Sequence, residues 1–348
     1  MFVRDILPRP AFPSSPHGRR LMNPRHDRDV GLQGILISLV VTLLVFAGSA
    51  FPGEASSFVT HRCRQMTLPD GRRLAYAEYG DPAGTHVVLY HHGMPSCRLE
   101  AERLLCALSQ HPGVRLIALD RPGIGRSDPD CCGDFHSWAR DVKFFTTALG
   151  IQKFSLIGVS GGTPYALATA RMLPESVIAV ALACPIAPIE GAGRGGSEGA
   201  QNVLFAERHP FLARLAVHAQ RRALQRRPER RTLSMLTMPP ADRAVLSSAA
   251  DRRAHAEIIV EAMCQGTHSI IRAGQLLAQP WSCWLPEVRC KVTILHGCED
   301  RITSPRMAAY LASVLPNSEV RFYPGQGHPS LVVNCSADIL RAALAGKE

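Results

Sequence analysis

The sequence predicts an α/β protein: a mostly parallel sheet covered by helices, with an inserted helical cap and an N-terminal hydrophobic helix. Three observations lead there. Short, nearly continuous apolar runs such as HVVLYHHG (86–93), VRLIALD (114–120) and FSLIGVS (154–160) alternate with segments of helical spacing, as expected for strands buried on both faces. The alternation stops for roughly a hundred residues after Ile189 and resumes at Lys291. Val30–Phe51 carries no charged residue, over about the length that crosses a bilayer as a helix.

The elements follow in order. Residues 1–29 form a basic lead, 30–51 a transmembrane or signal segment and 52–64 a linker. Arg19, Arg20, Arg25 and Arg28 precede the apolar run closely, against Arg62 and Arg64 after it. That asymmetry leaves the N-terminus in the cytoplasm and the rest of the chain beyond the membrane. Small residues at Ala47, Gly48, Ser49 and Ala50 suit cleavage, and Met22 is an alternative start. An anchored and an exported form both stay open, with the main domain outside the cytoplasm in either.

The core is expected over 65–188 and again over 287–348, with the helical cap at 189–286. Gln65–Gly84 reads as two strands around Pro69-Asp70-Gly71. A helix over Arg98–Gln110 separates the strands at 86–93 and 114–120, and a turn-rich loop follows, DRPGIGRSD at 120–128. Phe135–Leu149 has helical spacing; after FSLIGVS a helix opens at once, with Pro164 tolerated in its first turn. VIAVALACPIAP (177–188) is the last strand before the cap. Beyond it come KVTILHG (291–297), a helix over Pro305–Leu315, EVRFYPG (319–325) and a helix over Leu331–Ala345.

Composition narrows the function. The chain has 348 residues, 46% of them apolar, enough for one large domain with a buried core. Much of its net charge of +10 sits in the first thirty residues and in Arg208–Arg231. With no zinc-finger spacing, RNP-like motif or aromatic stripe among those residues, nucleic acid is not an expected partner. Arg208–Arg231 holds eight arginines and one acid, Glu229. It reads as a solvated helix face or, with Phe211, Leu212 and Leu215 as an apolar stripe, as a contact for anionic lipid. Eleven cysteines form no C-x-x-C motif, and Cys106 and Cys184 read as small core residues. No metal and no cofactor is expected.

G-x-S-x-G occurs twice, around Ser160 and around Ser197. Context separates them. Ser160 ends a strand and opens a helix, the turn that exposes a strained serine hydroxyl above a sheet. Ser197 has no strand leading in and reads as a flexible hinge into the cap. A serine hydroxyl needs a base, and His328 lies in the loop YPGQGHPS just after a strand. His92 and His296 close strands on the same rim and read as loop-shaping neighbours. The imidazole needs a carboxylate to hold its tautomer. LHGCEDRITSP supplies Glu299 and Asp300, of which Asp300 is preferred, whereas Glu190 comes several residues too late after its strand. Backbone N–H groups of Gly161 and Met94 are the candidates for stabilising an oxyanion. Trp281, Trp284, Met235 and Met238 are candidate pocket or cap-core residues.

Five motifs, HGMP, DRPGIGRSD, GVSGG, HGCED and GQGH, occur in the order in which they occur in α/β hydrolases. Over roughly 65–345 the chain resembles that superfamily. The resemblance implies triad roles for Ser160, Asp300 and His328, an oxyanion hole at Met94 and Gly161, and a variable cap that shapes the pocket for a small-molecule substrate. Haloalkane dehalogenases of the superfamily carry an aspartate where Ser160 stands. The elbow also lacks the tryptophan-containing form of proline iminopeptidases. The expected activity is a serine hydrolase acting on a small, largely apolar ester. Amidase, thioesterase, lyase and carbon–carbon hydrolase chemistry stay open, as does a non-catalytic ligand-binding protein.

Overall fold

Alternate residues of each central strand enter opposite cores, which is why those strands read as unbroken apolar runs. Leu156 and Ile294 pack into one cluster with Leu89, Trp138, Phe145 and Leu311. Their neighbours Ile157 and Leu295 pack into the other with Tyr79, Leu116, Ile339 and Leu340. Burying such a side chain fully contributes about 1.5–3 kcal/mol, so both faces must be covered by helices.

The computed structural model describes residues 59–130, 132–190, 197–230 and 237–346. Its sheet has eight strands: β1 (Val59–Thr67), β2 (Arg73–Gly80), β3 (His86–His91), β4 (Val114–Leu119), β5 (Phe154–Val159), β6 (Val177–Ala183), β7 (Lys291–Gly297) and β8 (Ser318–Tyr323), in the order β1-β2-β4-β3-β5-β6-β7-β8. The first three in that order pair antiparallel and all later pairings are parallel. The C-terminal ends of β3 to β8 therefore share one rim, where ligands bind in sheets of this kind. The expected apolar run at 30–51 and the basic lead at 1–29 lie outside the described residues. Among the described residues no helix is long and apolar enough to cross a membrane.

The helices are α1 (Leu105–Ser109), α2 (Phe135–Ala148), α3 (Thr163–Met172), α4 (Glu198–Arg208), α5 (Pro210–Arg226), α6 (Pro240–Ala244), α7 (Ala249–Ala262), α8 (His268–Ala278), α9 (Pro305–Val314), α10 (His328–Asn334) and α11 (Ser336–Leu344). The segment from α4 to α8 lies between β6 and β7. Buried Arg98 clasps it to the sheet, donating to Asp120 Oδ2 at 2.6 Å and to Glu261 Oε1 on α7 at 2.8 Å. Arg126 reaches the same carboxylate at 2.8 Å.

Four details depart from the sequence reading. β1 begins at Val59, inside the stretch read as a linker. The final helix is two, α10 and α11, meeting at Cys335. Cys106 is exposed, because the apolar face of α1 is formed by Ala107 and Leu108 instead. Ser197 is no free hinge: it is 1% exposed and caps α4, its hydroxyl accepting from Ala200 N and donating to Ile302 O at 2.5 Å. Ser197→Ala is therefore expected to lower the unfolding free energy by about 1 kcal/mol, the usual value of an N-cap hydroxyl, with turnover unchanged. Urea denaturation measures it; an unmoved midpoint would show that the cap contributes nothing.

Candidate active site

β5 ends in Val159 with extended backbone, and Ser160 turns sharply with φ +50 before the helix begins. A side chain in that left-handed region is uncommon and costs about 1–3 kcal/mol. Gly162 permits the turn's close approach to β3, since a Cβ there would lie 2.2 Å from His91 O. The elbow is further tied by Thr163 Oγ1, which donates to Ser160 O at 2.7 Å. Cys184, the only other described non-glycine residue at positive φ, directly follows β6. The segment after β6 touches both sides of the site: Ile186 N donates to Ser160 O, and the Cys184 thiol lies 3.6 Å from His328 O.

His328 opens α10, directly after β8 and its loop. Its Nδ1 lies 2.7 Å from Asp300 Oδ2. Asp300, on the loop after β7, is buried and held from behind: its Oδ1 accepts from Ile302 N at 2.8 Å and Thr303 N at 2.9 Å. The Thr303 hydroxyl reaches Oδ2 at 2.9 Å. Glu299, the neighbouring candidate, is exposed. Glu190 is elsewhere, accepting from Trp281 N and Ser282 N. Burial works against charge on both partners, yet the pair overrides it. His328 is raised above its ordinary 6.5 by Asp300, helped by Asp242 and Glu100. Asp300 is lowered from its ordinary 3.8, chiefly by His328. With Nδ1–H directed at the carboxylate, Nε2 is left as the basic nitrogen.

The two expected oxyanion donors lie side by side: a Cβ on Gly161 would sit 3.5 Å from Met94 N and 3.0 Å from Met94 Cβ. What holds them there is Arg121, which sequence reasoning passed over as part of a loop. It is 2% exposed and donates to His92 O at 2.6 Å, Gly93 O at 2.9 Å and Gly161 O at 3.2 Å. Gly93 O belongs to the peptide whose N–H is that of Met94, so the guanidinium sets the plane of the donor. The guanidinium also stacks over Tyr165, 4.6 Å from the ring centroid. From the other side Glu100 accepts the Gly93 N–H at 2.7 Å. His92 is buried and held neutral by burial and Arg121; its Nδ1 lies 2.9 Å from Gly93 O.

A second residue missed from sequence is Asp242, 2% exposed on α6. Its carboxylate accepts from His328 N at 3.0 Å, Ser330 N at 3.0 Å and Ser330 Oγ at 2.6 Å. A carboxylate at a helix N-terminus satisfies free N–H groups and suits the helix dipole. Here it also fixes the backbone that carries the histidine. The motif DRPG contains Arg121, but nothing around Pro240–Ala244 in the sequence points to His328.

Above the elbow the surroundings are apolar. Leu277 Cδ1 on α8 lies 3.6 Å from where a Gly161 Cβ would be. Trp281 and Trp284 belong to the buried core with Phe135 and Tyr165. Met238 lines a surface cavity of about 610 Å³ together with Glu299, Asp300 and Arg301, and Met235 lies outside the described residues. Cys184, Asp300 and His328 bring ligand atoms within 4.8 Å of one another. Burial pushes that thiol well above its ordinary value, and a cation there would have to break the Asp300–His328 hydrogen bond.

A family model described as the alpha/beta hydrolase fold matches residues 86–334. The chain is 33% identical over 150 residues to a non-heme chloroperoxidase of Streptomyces lividans, covering 42% of this chain and 54% of that protein. That match therefore spans only about half of the relative's length. Over 296 residues it is 24% identical to 2-hydroxy-6-oxononadienedioate/2-hydroxy-6-oxononatrienedioate hydrolase 2 of Pseudomonas putida, covering 79% of this chain and 91% of that one. A solved hydrolase from Pseudomonas aeruginosa PA01 is similar in fold, with a TM-score of 0.63 at 15% identity over 82% of this chain and 98% of that one.

Proposed function

The chain belongs to the alpha/beta hydrolase fold family, and from that premise we propose that it is a serine hydrolase cleaving a small, largely apolar carboxylic ester through an acyl-enzyme. The observation that carries this reading is the 2.7 Å hydrogen bond between His328 Nδ1 and buried Asp300, on the rim where Ser160 turns. In the proposed cycle Ser160 Oγ attacks the ester carbonyl and its proton passes to His328 Nε2. Asp300 stabilises the imidazolium, and the N–H groups of Met94 and Gly161 receive the oxyanion. The carbon–oxygen bond to the alcohol then breaks, and the alcohol departs with the proton held by His328. Water repeats the steps on the acyl-enzyme and releases the acid. Met94 and Leu277 beside the oxyanion position favour an apolar substrate.

A carbon–carbon hydrolase is the second reading, favoured by the long match to the Pseudomonas putida enzyme. Labelling with a fluorophosphonate tests the serine chemistry common to both. Modification of Ser160 is expected; its absence, where a control serine hydrolase labels, would sink the enzyme reading in favour of a non-catalytic binder. Turnover of short-chain esters against vinylogous diketones then separates the two. For location we propose an anchored or exported protein, on the uncharged run at 30–51. Intact chain found wholly in the cytosol would refute it.

The acid limb of kcat/KM gives a further expectation. His328 must be neutral to accept the serine proton, and its pKa is raised above 6.5. Activity should therefore fall as pH drops through a midpoint above 6.5, while depressed Asp300 stays ionised throughout. A pH–rate profile still flat well below 6.5 would contradict this assignment.

A further inference from the structure

We infer that the outer face of α5 docks on an anionic lipid surface. This helix has already placed its core side: Ala213 and Leu224 are buried, and Leu224 packs with Ala256, Ile259 and Ile270. Yet its first turns present Phe211, Leu212 and Leu215 to solvent, at 70%, 49% and 54% exposure. Three of the six exposed large hydrophobic residues in the described structure thus fall within five positions. Such side chains scattered singly need no explanation, but a contiguous apolar knob marks an interaction site.

Charge identifies the partner. Phe211, Leu215, Arg222 and Arg226 follow spacings of four, seven and four, which puts them on one side of a helix. Arg208 and Arg214 are also exposed nearby. Among the described residues no carboxylate pairs with Arg208, Arg214, Arg222 or Arg226; Glu229 is engaged by Arg253. A second copy of this face would set arginine against arginine, a costly juxtaposition. An apolar tip flanked by arginines is instead what an interface rich in anionic headgroups binds.

The path of the chain agrees. Arg62, near the start of β1, bonds Glu257 of α7 at 3.1 Å, and α7 packs against α5. The first described strand therefore starts beside α7, the helix that packs on α5.

The test uses full-length Phe211→Trp, and separately Leu215→Trp, reconstituted with brominated lipids, which quench indoles that enter the acyl region. The parent's three tryptophans are buried, so the introduced indole reports α5 alone. In vesicles containing brominated phosphatidylglycerol, both variants should be quenched beyond the parent; in brominated phosphatidylcholine alone they should not. Arg222→Glu/Arg226→Glu should weaken docking by about 30-fold or more, since each basic residue near such a surface contributes roughly fivefold. Quenching no greater than the parent's, or equal in both lipids, would overturn the proposal. So would a concentration-dependent blue shift without vesicles, which would make this face a contact between copies. None of these outcomes depends on the hydrolase chemistry, which fluorophosphonate labelling reports separately.

Discussion

Ser160→Ala and His328→Ala are each expected to abolish acylation, and Asp300→Asn to lower turnover by about 10⁴. The gradation follows from what each group does. Without Ser160 there is no oxygen to acylate, and without His328 nothing takes its proton. Asp300→Asn leaves shape and hydrogen-bonding reach intact. An amide at that position would donate to His328 Nδ1 and drive the proton to Nε2, removing the lone pair that the proposed cycle uses to take the serine proton. The neighbouring carboxylate is the control: Glu299 is exposed, and Glu299→Gln should be silent. Burst kinetics with an activated ester, normalised to protein concentration, measures all four variants. Full activity in Asp300→Asn together with loss in Glu299→Gln would move the acid to Glu299.

Arg121→Met should cost about 10²–10³ in kcat, the usual effect of losing one oxyanion donor, although Arg121 is itself buried. Its guanidinium bridges three carbonyls, two of them flanking the Gly93 and Met94 amides. Without it Gly93 O keeps only the His92 Nδ1 contact, and the Met94 N–H is held less firmly toward the developing charge. The loss should fall on kcat more than on KM, because the ground-state carbonyl uses that donor least. Stability should fall as well, by about 1–3 kcal/mol for each buried carbonyl left unpaired. Arg121→Lys should recover only part of either effect, since a point charge cannot span three acceptors as a planar fork does. A folded Arg121→Met protein with parental kcat would end this account of the oxyanion hole.

Much of the architecture was legible because it rests on short-range pattern. A strand buried on both faces must be apolar throughout, so KVTILHG and VRLIAL announce themselves, and β7 spans Lys291–Gly297 as expected. Ser160 was distinguishable from Ser197 for a similar reason: the strand, the glycines and the helix that create the elbow are all contiguous with it. Even Asp300 and His328, 28 positions apart, could be proposed together, because each sits in a loop just beyond a strand and parallel strands deliver such loops to one rim.

What the local pattern could not reach are contacts whose two halves are far apart in the chain and carry no shared signature. Asp242 is 86 residues from His328. Nothing in PPADRAV distinguishes a carboxylate that caps the histidine helix from one on a solvated turn. Arg121 reads as one more charged loop residue until the fold closes β3, β4 and β5 around it and brings three backbone carbonyls to its guanidinium. Ser197 shows the same limit in reverse. Its glycine-rich surroundings suggested freedom, but its hydroxyl is held by Ile302, 105 positions away. Periodicity reports whether a side chain will be buried; which buried polar group satisfies which other is chosen only when the folded chain brings donor and acceptor together and removes water from both.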